Sequence, residues 1–103
     1  MELTYELSLD ADQDLQDVAR YTLNNWGKSF LLKYRNGLKA KFKAIAGNSI
    51  IKKTFSAQFP ELYVTKYRYH FIFYLHKIDQ KPLIIGVIHE QRDLVNRLSE
   101  RLL

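Results

Sequence analysis

The sequence predicts an α+β domain: an N-terminal strand, a helix hairpin packed on a twisted, mainly antiparallel four-stranded sheet, and a short C-terminal helix. Three observations carry this. Apolar residues recur at helical spacing through residues 11–26 and again through 30–45, with Gly27 between the two runs. Residues 67–76, Tyr-Arg-Tyr-His-Phe-Ile-Phe-Tyr-Leu-His, alternate as a strand does. A turn over Asp79 to Pro82 then leads into Leu-Ile-Ile-Gly-Val-Ile (83–88), apolar enough for a central strand.

In chain order the elements read β-α-α-β-β-β-α. Leu3 to Leu7 alternates as a first strand. Asp10 is a good helix N-cap with Gln13 three residues on, and Ala11, Leu15, Val18, Ala19, Thr22 and Trp26 form the buried stripe of the helix that follows. Asp12, Asp14 and Asp17 in its first turns complement the helix dipole, a structural role. Ser29 is placed to cap a second helix carrying Phe30, Leu31, Tyr34, Leu38, Phe42 and Ile45, closed by Gly47 and Asn48. A connection as short as Gly27-Lys28 makes the two helices antiparallel. Gly37 costs about 1 kcal/mol inside a helix, so a close approach by another backbone is expected there.

Residues 50–59 read as a basic loop with room for a short extended piece, Glu61 to Lys66 as a strand after Pro60, and 67–76 and 83–88 as the hairpin. Tyr67, Tyr69, Phe71, Phe73 and Leu75 share the face expected to pack on the helices, leaving Arg68, His70, Ile72, Tyr74 and His76 on the other. Asp93 caps a final helix whose Leu94, Leu98 and Leu102 need the sheet as partner.

The 103 residues suffice for one domain with a single modest core (residues 1–103), and 47% hydrophobic content is enough to fold it. With no cysteine, disulfides, thiolate metal sites and thiol nucleophiles are excluded, which suits a reducing cytoplasm. The first residues carry acids and no long apolar run, unlike a signal peptide, and no window approaches a membrane span. Charge is divided unevenly. Residues 1–27 hold six acids and one base (1 − 6 = −5), and residues 28–103 hold fifteen bases and five acids (15 − 5 = +10). Lys28 to Lys53 contains eight bases and no acid, a field that favours a polyanion or an acidic protein, unless it is simply a solvated helix face.

All three histidines lie in or beside the hairpin. A sheet face with Arg68, His70, Tyr74 and His76 has the composition of a contact surface as well as that of a wet face. His89, followed by Glu90, Arg92 and Asp93, is either a general acid or base or a residue that fixes the turn. The histidines lack metal-ligand spacing, and no phosphate loop, nucleophile elbow or paired carboxylates appear, so no metal and no cofactor are expected.

Several segments together resemble the ParE branch of the RelE/ParE toxin superfamily of type II toxin–antitoxin modules. They are Tyr5-Glu6-Leu7-Ser8, Asp14-Leu15-Gln16-Asp17-Val18, Tyr21-Thr22 through Trp26-Gly27, His70-Phe71-Ile72-Phe73-Tyr74, and Val87-Ile88-His89-Glu90-Gln91-Arg92-Asp93. The resemblance implies a toxin that inhibits DNA gyrase without enzymatic chemistry and is neutralised in a hetero-oligomer with a cognate antitoxin, a ribbon-helix-helix or similar DNA-binding protein with an acidic, apolar C-terminal segment. Target contacts are then expected at Arg68, His70, Tyr74, His76, His89 and Arg92. Antitoxin contacts are expected at Lys33, Tyr34, Arg35, Leu38, Lys41 and Phe42. The RelE-like alternative is a ribosome-dependent mRNA endonuclease using His89, Arg92, Arg68 and Lys52 or Lys53. Against it stand Phe71, where similar nucleases often carry arginine, and Glu90, whose charge opposes a phosphate. A third alternative is a degenerate toxin acting only with its antitoxin in transcriptional autoregulation.

Overall fold

The computed structural model describes residues 4–102. Its elements are β1 (Glu6–Leu7), α1 (Leu9–Trp26), α2 (Lys28–Ala46), β2 (Thr54–Ser56), β3 (Phe59–Tyr67), β4 (His70–Leu75), β5 (Leu83–His89) and α3 (Leu94–Leu102). The sheet runs β1-β5-β4-β3-β2, with β1 parallel to β5 and every other pair antiparallel. The α+β class and the helix hairpin are as expected; the sheet has five strands where four were expected. The added strand is β2, in the segment read as loop, paired through Thr54↔Tyr63 and Ser56↔Phe59. Of the strand expected from Leu3, only Glu6–Leu7 is a strand, and Leu3 lies outside the described residues.

The caps differ in detail. Ser8 caps α1, its hydroxyl accepting from the Ala11 amide at 3.0 Å, so the helix starts ahead of Asp10. Gly27, at φ 87°, ends α1 and opens α2 without a side-chain cap, and Ser29 lies inside the helix. Asp93 caps α3 as expected, accepting from the Asn96 amide at 3.3 Å. At Gly37 the close neighbour is a side chain: a Cβ there would overlap the Tyr67 ring and hydroxyl.

The run 67–76 is not one strand. It breaks at a two-residue turn, Arg68-Tyr69, with Tyr67 opposite His70 and Arg68 at φ 50°. No Gly or Asn marks this turn, so alternation alone reads straight through it. The expected faces are also reversed. Ile72 and Tyr74 pack under the helix hairpin with Tyr34, Leu38, Phe42 and Ile45. Phe73, with Phe71 and Leu75, packs against Leu62, Ile85, Ile88 and Leu98 of α3. Because α3 covers the second face, β4 is apolar on both sides, and period two cannot say which side meets the hairpin.

One ion pair ties the layers together. β1 covers the outer edge of β5 only at its start, where Glu6 and Ser8 donate to the Pro82 and Ile84 carbonyls at 2.9 Å. Further along, side chains take over. Asp14 of α1 accepts from the Val87 amide at 2.9 Å, and Arg101 of α3 donates to the Ile85 carbonyl at 3.0 Å. The two also bind each other in a fork, at 2.6 and 2.8 Å. Their side chains are only 11% and 13% exposed. A Cβ at Gly86 would lie 2.8 Å from Arg101 Nη1, so the glycine makes room for the guanidinium.

Removing one partner leaves the other charge buried, so Asp14→Ala or Arg101→Ala is expected to cost about 3 kcal/mol in urea unfolding. Gly86→Ala should act in the same direction by displacing Arg101. A loss under 0.5 kcal/mol, the range of ordinary surface substitutions, would show that the pair does not hold the layers.

Candidate functional site

A cleft of about 430 Å³ opens between α1, the end of β5 and the segment leading into α3. Asp14, Asp17 and Tyr21 line it from α1, His70 from β4, His89 from β5, and Gln91, Arg92 and Arg97 from the chain beyond.

Two histidines form its floor. His70 and His89 are cross-strand partners at the β4–β5 end, with ring centroids 5.3 Å apart and edge to face. The Tyr34 hydroxyl reaches from α2 to within 2.6 Å of His70 Nδ1 and accepts from the Tyr69 amide at 3.4 Å. Burial first, then the neighbouring His89, lowers the His70 pKa from 6.5 to about 4, so its ring is neutral near pH 7. Burial likewise raises Tyr34 to about 12. The hydroxyl therefore keeps its hydrogen and has two acceptors in reach, His70 Nδ1 and the Tyr67 carbonyl at 3.3 Å, so its bond to the ring is donated or accepted according to the His70 tautomer. His89 Nδ1 accepts from the Gln91 amide at 3.1 Å, the turn-fixing role, and its carbonyl accepts from the Arg92 amide at 3.0 Å.

The nuclease set expected from the sequence is not gathered here. Only His89 and Arg92 line the cleft. Arg68 sits in the β3–β4 turn, its Nε donating to the Tyr67 hydroxyl at 3.3 Å. Lys52 lies over the Tyr63 ring at 5.3 Å, and Lys53 is exposed ahead of β2, its carbonyl accepting from the Val64 amide at 2.9 Å. Glu90 does not line the cleft either; Lys66 Nζ holds it at 2.5 Å, and that contact keeps its carboxyl below the usual range.

One expected target contact needs correction. Tyr74 is core, 1% exposed, because its strand face meets the helices. His76 lies past the other end of β4, half-buried, where burial and nearby Lys52 lower its pKa. Of the expected antitoxin contacts, Arg35, Leu38 and Phe42 line a separate apolar groove between α1 and α2, about 140 Å³, together with Leu15, Val18 and Leu31. Leu38 and Phe42 are buried at its floor and project no surface of their own. Tyr34 is turned to His70 and is not a surface contact; Lys33 and Lys41 do not line the groove.

Sequence reasoning missed Asp14, Asp17, Tyr21 and Arg97. For Asp14 a signal existed: it falls between Ala11 and Val18 on the buried stripe of α1, where a carboxylate needs a cation. Among the described residues, no group of three metal-ligating side chains comes together, and no helix is long and apolar enough to cross a membrane.

Residues 5–94 match the family described as the ParE toxin of the type II toxin–antitoxin system parDE. The chain belongs to the ParE toxin family. It is 31% identical over 98 residues to Toxin ParE of Escherichia coli, covering 95% of each chain. Its fold matches a chain of the chromosomal ParDE TA system from P. aeruginosa with a TM-score of 0.66, at 13% identity and over 84% of this chain and 96% of that one. α3, which supplies Arg101, lies almost wholly beyond the family match.

His70 gives this ParE-family protein a pH dependence. Its pKa is lower folded (about 4) than free (6.5), so the unfolded chain binds the proton more readily. The stability it contributes is complete above about pH 6.5 and falls as pH drops from there to about 4. In urea unfolding across that window, His70→Gln should have a flatter profile than the natural protein; parallel profiles would assign the acid sensitivity to other groups.

Proposed function

We propose that this protein is a ParE-type toxin that inhibits DNA gyrase by binding, without catalysing a reaction, and that a cognate antitoxin neutralises it in the cytoplasm. The observation that carries the non-enzymatic reading is the dispersal of its basic groups. Phosphoryl chemistry needs cations converging on the scissile phosphate together with a positioned acid and base. In this cleft Asp14 and Asp17 stand beside Arg92 and Arg97, the Asp14 carboxylate is committed to Arg101, and Lys52, Lys53 and Arg68 lie elsewhere. Phe71, in the place where the resemblance to nucleases calls for arginine, is packed on the α3 side.

The α1–α2 groove suits the antitoxin. Its walls are apolar, and Arg35 and Lys39 line it as cations, which matches an extended segment bearing apolar anchors and acidic residues. Association should slow several-fold between low and physiological salt, and more weakly for Arg35→Ala; a rate indifferent to salt removes the electrostatic part.

The decisive comparison sets gyrase against ribosomes. The purified protein is expected to block gyrase supercoiling and accumulate cleaved DNA, with translating ribosomes leaving mRNA intact. Cleaved mRNA that disappears in His89→Ala, with gyrase untouched, would establish the nuclease reading instead.

A further inference from the structure

Aromatic side chains are exposed where the tip of the helix hairpin meets the β3–β4 turn, away from the apolar groove. Trp26, the sole tryptophan, is 64% exposed, although one side of its indole rests on Phe30 with centroids 5.7 Å apart. Phe30 stacks on Tyr34 at 6.1 Å, and Tyr34 meets Tyr67 edge-on at 5.1 Å. Above Tyr67 the Arg68 guanidinium lies 5.8 Å from the ring centroid, and the next residue, Tyr69, is 55% exposed. Tyr34 thus links two platforms, Trp26 on Phe30 and Arg68 on Tyr67. Both present planar groups to solvent already fixed by rings behind them, so little conformational freedom remains to be lost on binding.

The helix-hairpin side of this face is positively charged. From Arg20 to Lys53 the chain has no acid, and Lys28 and Lys33 are exposed on the first turns of α2, which also carry Phe30 and Tyr34. Glu90, whose amide donates to the Tyr69 carbonyl at 2.9 Å, is the acid beside the turn, and Lys66 is paired with it. Flat π-faces spaced among an excess of cations match unpaired bases on a phosphate chain. Duplex DNA offers the phosphates and hides the base faces. A neutral protein surface would use the aromatics and leave the excess of positive charge unmatched. We propose that this face binds single-stranded nucleic acid, with bases stacking on Trp26 and on the Arg68–Tyr69 turn and phosphates held by Lys28, Lys33 and Arg68.

The test is titration of the purified protein at low salt with fluorescently labelled oligothymidylate of about twelve nucleotides, within the length range such platforms cover. Anisotropy and the fluorescence of Trp26 are followed together. Expected are saturable binding, quenching of Trp26, weaker affinity as salt rises, and tighter binding than to a duplex of equal length. Trp26→Ala, Tyr69→Ala and Arg68→Ala should each weaken binding about tenfold. All three side chains are exposed, so unchanged thermal unfolding separates lost contact from lost fold. The proposal is overturned if no oligonucleotide binds at low salt, if duplex and single strand bind equally, or if Trp26→Ala and Tyr69→Ala bind like the natural chain. A Trp26 response to purified gyrase but not to the oligonucleotide also overturns it, and assigns the face to a protein.

Discussion

The fold depends on how the outer edge of β5 is closed. An open strand edge exposes unpaired amide and carbonyl groups and invites another strand to pair with it. β1 is two residues long and covers only the start of β5. Past the bulge at Ile85, which has no partner in β4, the Asp14 carboxylate and the Arg101 guanidinium take the places a neighbouring strand would fill. A side-chain fork thus substitutes for backbone, and because its halves come from α1 and α3, it locks both helices to the sheet. Hydrogen bonding to Asp14 also holds the Arg101 pKa above its ordinary value, so this cation persists at any pH at which the protein folds.

This closure also decides what the adjacent cleft can do. Asp14 is the most enclosed carboxylate on the cleft wall, the position in which a general base would be sought, but both its oxygens accept hydrogen bonds from Arg101. The histidines are committed in similar ways, His70 to Tyr34 and His89 to the turn at Gln91. What remains facing outward is an assortment of tyrosine, glutamine, arginine and carboxylate suited to recognition. A toxin that acts by occupying a surface, as proposed, needs such groups held rigidly and needs none of them poised to move a proton.

Much of this was legible in the residues. Helical spacing with Gly27 between two runs specified the hairpin, and the apolar run of β5 specified a strand buried on both faces. The Asp93 cap and the leucine stripe placed α3 against the sheet. The break at Arg68-Tyr69 was not legible, because a two-residue turn without glycine or asparagine has no local signature. Its concealment merged two strands and carried the face assignment with it, so Tyr74 seemed exposed. β2 went uncounted as a strand because three residues cannot display a period. In the site, the histidines were visible as a group but not the Tyr34 contact, which spans 36 residues of sequence. Asp14 was read from its place in the first turns of α1, where helix-dipole logic explains any acid; only its position on the buried stripe separated it from Asp12 and Asp17.

The claim that side chains complete the sheet can be read at a single atom. Val87 is the amide whose acceptor is the Asp14 carboxylate rather than a strand. Native-state hydrogen exchange should find it protected to the same free energy as the Ile72 amide in the centre of the sheet, and should find that in Arg101→Ala its protection falls well below that of Ile72, which drops only by the loss in global stability. Rapid exchange of Val87 in the natural protein, at the rate of an open strand edge, would contradict the account.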